Sequence, residues 1–296
     1  MSTVPTTTAT EREIASQPEC WAKAIALAPS LTGVLPAPGE NVAVVGCGTS
    51  WFIAQSYAVL RECAGLGRTD AFTASAFPVG RAYDRVVAIT RSGTTTEILD
   101  LLRELQLPSV AITADPATPI VDVADEVVVL DFADEASVVQ TRFATTVLAL
   151  LRAHLGEDLT AAIADAKRAV SEPVDAAVVA AEQFTFLGSG FAYGLALEAG
   201  LKMREAAGAW TESYPGMEYR HGPISIAAPG RVVWAIGPLP EGLDAQVAAT
   251  GARLEIGGLD PLAELVRIQR LAVMIAQAKG LNPDTPRNLT RSVVLA

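Results

Sequence analysis

The chain of 296 residues contains only two histidines and three cysteines, which limits the metal and disulfide chemistry it can support. Cys20, Cys47 and Cys63 form no CxxC pair and show no metal-ligand spacing. This pattern is typical of proteins from a reducing compartment. Since no cluster of metal-ligand residues stands out, we predict no metal and no organic cofactor.

Positive charge is also scarce, because 22 lysines and arginines stand against 33 acidic residues and give a net charge of −11. This balance argues against a nucleic-acid surface and a polybasic membrane patch. The first ten residues lack the basic and apolar parts of a signal peptide, and glycines and Glu198 interrupt the longest apolar stretch, 184–201. We predict a cytoplasmic protein with a disordered tail at 1–10 that binds neither nucleic acid nor membrane.

Hydrophobic residues make up 50% of the sequence and form apolar strands that alternate with amphipathic helices. This alternation predicts an α/β fold with parallel, doubly wound sheets. In the first half, the predicted strands are 41–45, 70–74, 85–90, 109–113 and 126–130, and the predicted helices are 51–63, 96–106, 135–154 and 159–183. The pattern of strand, Gly-Ser-Gly loop and helix starts again at Phe184, which indicates an abbreviated repeat of the sheet domain. The predicted units are a first domain at 11–155, a connecting helix at 156–183, and a second, shortened domain with a C-terminal tail at 184–296.

Two loops rich in glycine and hydroxyl residues follow the strands at 41–45 and 85–90. Gly48 allows a sharp turn before Thr49 and Ser50, and the segment 91–95 repeats this design. Helix N-termini attract anions, and both loops fall at the carboxyl edge of one sheet, so they can close on one phosphate. An ordinary strand-to-helix turn is the alternative interpretation. Because no GxxxxGK[ST] lysine is present, we expect a small phosphorylated metabolite and not a nucleotide.

The second domain carries a charged stripe on its predicted helix 192–207. Glu198, Lys202 and Glu205 occupy positions i, i+4 and i+7 and therefore share one face. A solvated stripe is the alternative, but the small and apolar residues around it indicate close packing. A shielded carboxylate beside an ammonium is suited to removing a proton next to a carbonyl.

The two histidines differ in their surroundings. His221 lies in the turn-rich segment PGMEYRHGP, where an imidazole has few structural uses, so we consider it a candidate functional residue. His154 ends an amphipathic helix, where capping the helix C-terminus is the simpler role.

Five motifs occur in order over nearly the whole chain: GCGTS, the loop 90–95, ALEAGLKMRE, YRHGP and TPRNLTRSV. Together they resemble the double sugar-isomerase (SIS) domain family, and within it the isomerase half of glucosamine-6-phosphate synthase. The likeness begins at about Glu11 and runs to the C-terminus. It implies two flavodoxin-like, three-layer α/β/α subdomains, a sugar-phosphate substrate and a homodimer.

The resemblance also implies a role for each matching residue. Glu205 corresponds to the glutamate that moves a proton between C1 and C2 of the open-chain sugar, and Lys202 to its lysine neighbour. His221 corresponds to the ring-opening histidine, which reaches the site from the second subunit. The segment 135–142 lies where the family has its third substrate loop. The substrate-binding residues implied by the resemblance are Cys47, Gly48, Thr49, Ser50, Thr90, Arg91, Ser92, Thr95, Val138, Gln140 and Arg291.

Three departures from the synthase change the expected reaction. The sequence shows no amidotransferase domain and no N-terminal cysteine nucleophile, so we expect no glutamine-dependent amination. Arg291 stands where the family has an imine-forming lysine, and arginine cannot form the imine. We expect it to clamp charge or to hydrogen-bond the substrate. Arg91 and the pair Gln140/Arg142 replace smaller or differently charged groups of the synthase, and the added guanidinium suggests a more anionic or differently placed substrate.

We therefore predict a phosphosugar isomerase, or an isomerase-type deaminase or deglycase, that acts on an amino-substituted aldose or ketose phosphate. The alternative is a non-catalytic protein that binds or senses sugar phosphates, suggested by Arg291 and the shortened second half. The joint presence of Glu205, Lys202 and His221 favours the enzyme.

Overall fold

The structure is a computed structural model that describes residues 7–295. Its strands are β1 Val42–Gly46, β2 Thr69–Thr73, β3 Arg85–Ile89, β4 Ser109–Thr113, β5 Glu126–Val129, β6 Gln183–Gly188, β7 Trp210–Pro215, β8 Arg231–Ile236 and β9 Arg253–Ile256. Its α-helices are α1 Ala9–Ala15, α2 Gln17–Leu27, α3 Thr49–Cys63, α4 Thr96–Glu104, α5 Arg142–His154, α6 Thr160–Ala169, α7 Ala176–Val179, α8 Ala192–Ala207, α9 Leu243–Ala249 and α10 Pro261–Ala278.

The strands form two sheets with the same order of connections. The first sheet has the order β2-β1-β3-β4-β5, and the second has the order β7-β6-β8-β9. All pairs of neighbouring strands are parallel. The first order is that of flavodoxin-like doubly wound sheets. The predicted α/β fold with two parallel sheets, the second one strand shorter, is confirmed.

The central strands are apolar because both of their faces are covered. Every residue of β1 and of β4 is buried, which explains their continuous runs of valine, alanine and isoleucine. One apolar cluster contains residues of both predicted domains, among them Ile53 of α3 and Leu195 of α8. None of the helices described is long and apolar enough to cross a lipid bilayer.

Helices α3 and α8 cross closely, and this crossing brings the two halves of the site together. A Cβ atom at Gly194 would lie 2.3 Å from Ser56 Oγ and 2.5 Å from the carbonyl oxygen of Phe52. The glycine therefore lets the two backbones approach more closely than a side chain would permit. As a result, the charged face of α8 lies beside the N-terminus of α3, where Thr49 begins the helix.

Two predicted helices are shorter than the sequence suggested. The helix predicted at 135–154 begins only at Arg142, because the buried carboxylate of Glu135 accepts hydrogen bonds from the amides of Thr141 (2.5 Å) and Arg142 (2.7 Å) and holds 135–141 as a loop. The helix predicted at 159–183 ends at Ala169 and is followed only by the short α7. Pro173 lies in the interruption, where its ring is incompatible with a continuing helix.

Two further expectations differ from the structure. Strand β7 was not predicted, because its segment WTESYP has few apolar residues and lies at the edge of its sheet. The disordered tail predicted at 1–10 ends too late, since α1 begins at Ala9 with a capping box formed by Thr8 and Glu11. Residues 1–6 of that predicted tail lie outside the described residues.

Candidate active site

A cavity of about 200 Å³ lies where strands β1 and β3 end. Its walls are formed by both hydroxyl loops, the loop before α5, one face of α8 and the C-terminal segment 289–293. Of the predicted site residues, those that line the cavity are Cys47, Gly48, Thr49, Ser50, Thr90, Arg91, Ser92, Thr95, Val138, Gln140, Lys202, Glu205 and Arg291. His221 does not line it.

The first loop turns tightly enough to aim the N-terminus of α3 at the cavity. A Cβ atom at Gly46 would lie 2.5 Å from the carbonyl carbon of Ser50, so only glycine fits there. Gly48 has φ 56° and ψ −123°, a conformation that strongly favours glycine. Because α3 then begins at Thr49 without a side-chain cap, the partial positive charge of the helix faces the cavity.

The second loop meets the C-terminal segment through a cluster of hydroxyl groups. The hydroxyl of Ser292 lies 3.1 Å from Ser92 Oγ, 2.9 Å from Thr94 Oγ1 and 3.4 Å from Thr95 Oγ1. The first amide of α4 donates to a carbonyl of the same segment (3.2 Å). The C-terminal segment therefore lies against the loop and closes one side of the cavity.

Three residues that line the cavity have a polar atom without a hydrogen-bond partner among the described residues. These atoms are Thr90 Oγ1, Arg91 Nε and Gln140 Oε1, and all are shielded from solvent. Buried polar atoms are almost always paired in folded proteins, so unpaired ones in a cavity indicate the place of a ligand. Their positions on two different loops indicate a ligand with several hydrogen-bonding groups.

On the opposite wall, Lys202 connects the two halves of the site. Its side chain is 1% exposed, and its Nζ donates to Thr49 Oγ1 (2.9 Å) and to the Glu205 carboxylate. Burial acts to lower the pKa of Lys202, but the carboxylates of Glu198 and Glu205 outweigh it and raise the pKa above its ordinary value. The ammonium is therefore charged at neutral pH and holds Glu205 at the cavity wall.

Glu198 belongs to this group although the sequence did not single it out as a site residue. It is fully buried, accepts a hydrogen bond from Thr49 Oγ1 (3.3 Å) and lies 3.4 Å from Lys202 Nζ. Burial raises its pKa to about 8, although Lys202 acts to lower it. The available signal was its i, i+4 spacing to Lys202. The alternative of a solvated stripe is wrong for both residues.

The raised pKa of Glu198 predicts how the free energy of unfolding depends on pH. A folded-state pKa of about 8, above the ordinary 4.5, means that the folded chain binds this proton more tightly than the unfolded chain. The stability from the group is present below pH 4.5 and is lost as the pH rises through about 8. Over this range we expect the free energy of unfolding of the wild type to fall, relative to Glu198→Gln, by on the order of 4 kcal/mol. Urea unfolding across pH measures it, with the exposed Glu104→Gln as control. Parallel wild-type and Glu198→Gln curves would contradict the assigned pKa.

The chain was compared with known proteins. No protein-family model matches it. A glutamine–fructose-6-phosphate aminotransferase (isomerizing) from Legionella pneumophila is 29% identical over 315 residues, which cover 86% of the chain and 51% of that protein. The chain spans about half the length of the curated relatives it matches. It is a homologue of the isomerase half of these aminotransferases.

Solved structures agree with this assignment at the level of the fold. A glucosamine-6-phosphate deaminase from Thermotoga maritima superposes with a TM-score of 0.82 at 24% identity, over 97% of the chain and 100% of the other. The C-terminal domain of a glucosamine-fructose-6-phosphate aminotransferase from Francisella tularensis gives a TM-score of 0.81 at 22% identity, with the same coverage. The predicted resemblance to the isomerase half of glucosamine-6-phosphate synthase is confirmed.

Arg91, a departure from the synthase, has a different role from the one expected. Its side chain is 3% exposed, and its guanidinium lies 3.3 Å from the Glu135 carboxylate. It also donates to the carbonyl oxygens of Ser137 (3.2 Å), Val138 (3.2 Å) and Arg291 (3.0 Å). Its charge is therefore neutralised inside the protein, where it ties together three separate segments. It does not supply the additional charge that suggested a more anionic substrate.

Arg291, at the position of the family's tail lysine, is likewise engaged by the protein. Its guanidinium donates to the Asp134 carboxylate and to the carbonyl oxygen of Glu135. It lines the cavity, but it fastens the C-terminal segment to the loop before α5. Arg142 does not line the cavity and instead donates to Ser16 Oγ (3.0 Å) and to a backbone carbonyl.

The two histidines are far from equivalent. His221 is exposed in a turn, with its amide bonded to the carbonyl of Glu218 (2.9 Å). Within this single chain it does not join the cavity, so its predicted contribution from a second subunit stays a prediction. His154 ends α5, and its Nε2 lies 3.2 Å from the carbonyl oxygen of Pro36, so its ring joins the end of α5 to the segment before β1.

Proposed function

We propose that the chain is a phosphosugar isomerase, or an isomerase-type deaminase or deglycase, that moves a proton between C1 and C2 of an amino-substituted sugar phosphate. The observation that supports this most strongly is that the Glu205 carboxylate lines the same cavity as both hydroxyl loops. The relatives named above, an isomerizing aminotransferase and a glucosamine-6-phosphate deaminase, fit the proposal.

In this proposal the two loops bind the phosphate. The N-termini of α3 and α4 supply partial positive charge, and the Ser50 hydroxyl donates a hydrogen bond to the phosphate oxygens. The hydroxyls of Ser92 and Thr95 turn from Ser292 Oγ to the phosphate when it binds. The Thr90 hydroxyl then donates a hydrogen bond to the phosphate, and Gln140 Oε1 accepts one from a sugar hydroxyl. The phosphate end is thereby fixed, and the carbonyl end of the open-chain sugar lies towards α8.

Glu205 then acts as the acid and base. Its carboxylate removes a proton from the carbon next to the carbonyl and returns it to the neighbouring carbon, which converts the ketose and the aldose forms into each other. The Lys202 ammonium keeps Glu205 in place and stabilises the negative charge that develops on the sugar oxygen. We propose that His221 of a second subunit opens the sugar ring, and that glutamine is not a substrate.

The role of Thr90 can be tested by removing only its hydroxyl. Because Thr90 Oγ1 has no protein partner, Thr90→Val is expected to change the free energy of unfolding by less than about 1 kcal/mol. It should weaken binding of fructose 6-phosphate about tenfold, since a hydrogen bond to a charged group is lost. Isothermal calorimetry measures the affinity. Thr146→Val, which removes another buried and unpaired hydroxyl outside the cavity, is the control. Unchanged affinity in Thr90→Val would place the ligand elsewhere.

The second candidate function is a protein that binds sugar phosphates without catalysis. It is favoured because Arg291 stands where the synthase has its imine-forming lysine and is paired with Asp134. Incubation with three compounds separates the two functions: fructose 6-phosphate with ammonia, glucosamine 6-phosphate, and a glycated amine 6-phosphate. Turnover of any of them supports the enzyme, and thermal stabilisation without turnover supports the binding protein. The homodimer and the cytoplasmic location stay predictions.

A further inference from the structure

A second cavity, of about 480 Å³, adjoins the first at Glu205. Its walls are the C-terminal end of α8 and the segment 280–288 that follows α10. Glu205 lines both cavities, so they adjoin at the residue that we propose to transfer the proton. The second cavity is the larger one and has room for a group beyond the sugar phosphate.

The second cavity has a positive lining in an acidic chain. Arg204 and Arg287 both line it, and Glu205 is its one acidic residue among those described. Arg204 donates to Thr211 Oγ1 (2.8 Å), and neither arginine takes part in an ion pair within residues 7–295. Guanidinium groups with free donors recognise carboxylates and phosphates through paired hydrogen bonds. In a protein of net charge −11, this lining favours an anion.

The position of the second cavity relates this anion to the reacting end of the sugar. The phosphate is proposed to lie in the loops of the first cavity, and C1 and C2 beside Glu205. A substituent on the nitrogen at C1 therefore extends away from the phosphate and into the second cavity. The two amide side chains in its wall, Asn282 and Asn288, supply further hydrogen-bonding groups.

We infer that the substrate is a 1-amino-1-deoxyketose phosphate whose nitrogen carries a carboxylate-bearing chain, that is, the adduct of a sugar phosphate with an amino acid. This inference rests on the proposed function and selects the deglycase among its variants. Arg204 and Arg287 bind the carboxylate of the amino acid, and the loops bind the phosphate at the other end.

The chemistry needs only water as a second reactant. Glu205 removes a proton from C1 and a proton is returned to C2, while the nitrogen loses a proton and the C2 oxygen gains one. The C2 carbonyl thereby becomes a hydroxyl, and the C1–N bond becomes an imine. Water then adds to C1, the C1–N bond breaks, and the aldose phosphate and the free amino acid leave. Nothing is oxidised or reduced overall.

Matched pairs of substrates test this inference. The test compounds are 1-deoxyfructose 6-phosphates that carry an amine on C1: the charged ones carry glycine or 4-aminobutyrate, and the uncharged ones carry ethylamine or butylamine, in which a methyl replaces the carboxylate. We expect kcat/KM to be about tenfold higher for the charged member of at least one pair. The double variant Arg204→Gln/Arg287→Gln should lose this preference, because kcat/KM for the charged member falls to that for the uncharged member. The exposed Arg103→Gln/Arg168→Gln variant is the matched control and should keep the preference.

Each other outcome has one meaning. Equal kcat/KM values within both pairs, or a preference that survives in the Arg204→Gln/Arg287→Gln variant, would overturn the inference. Turnover of glucosamine 6-phosphate without turnover of any adduct would also overturn it, but would leave the proposed function standing. If none of these sugar phosphates reacts, the proposed function fails and the inference fails with it.

Discussion

Glu205→Gln is expected to lower the rate of proton transfer between C1 and C2 by about 10³-fold, in the range typical for loss of a general acid-base group. Glutamine keeps the shape of the side chain but cannot accept the proton. The phosphate loops do not depend on Glu205, so the affinity for fructose 6-phosphate should change by no more than about threefold. Proton-exchange kinetics of both proteins measure the rate, and calorimetry of both with fructose 6-phosphate measures the affinity.

The control for this experiment is Glu104→Gln, which changes an exposed carboxylate at the end of α4. It should leave both the rate and the affinity unchanged. A Glu205→Gln variant that retains the wild-type rate would remove Glu205 from the mechanism. A variant that loses binding and rate together would show that Glu205 serves to hold the substrate and not to move its proton.

Arg91→Ala is expected to lower the free energy of unfolding by about 3–5 kcal/mol, as found when one partner of a buried ion pair is removed. The substitution leaves the fully buried Glu135 without its ion partner and frees three carbonyl oxygens. Burial already raises the pKa of Glu135, so in the variant the carboxyl is expected to take up a proton. Urea unfolding measures the effect, and the exposed Arg103→Ala should cost less than about 0.5 kcal/mol.

A second variant separates the loss of the ion pair from a general packing defect. In Arg91→Ala/Glu135→Gln both charges are absent, so part of the lost stability should return. Because Arg91 also bonds the carbonyl of Arg291, the C-terminal segment should loosen, and trypsin should cleave after Arg287 and Arg291 faster than in the wild type. Unchanged stability in Arg91→Ala would show that the buried contacts of Arg91 do not stabilise the fold.

The sequence was a good guide wherever a local pattern decides the structure. The hydroxyl loops could be predicted because each turns through backbone conformations that favour glycine, as at Gly48, and is followed directly by a helix. The apolar strands are buried on both faces and therefore form recognisable runs. Of the site residues predicted from the family resemblance, all except His221 line the cavity.

What the sequence could not supply were contacts between distant segments. The pairing of Arg91 with Glu135 and of Arg291 with Asp134 depends on where the C-terminal segment lies, which no local pattern records. For the same reason the loop at 135–141 was predicted as part of the helix. It contains no glycine or proline, and the buried carboxylate of Glu135 is what keeps it out of α5. Glu198 was placed on the charged face of the helix but not among the site residues, because its burial depends on the crossing of α3 and α8.

The central claim is that one cavity binds the phosphate and moves a proton at the other end of the same sugar. Nuclear magnetic resonance in heavy water tests it directly, by following deuterium at C1 of fructose 6-phosphate, at C2 of glucosamine 6-phosphate and at C1 of the 1-deoxyfructose 6-phosphate that carries glycine on C1. We predict that the wild type introduces deuterium into at least one of these compounds or its product, and that Glu205→Gln does not. Binding of all three compounds without any deuterium uptake, or uptake at the same rate in the variant, would contradict the account.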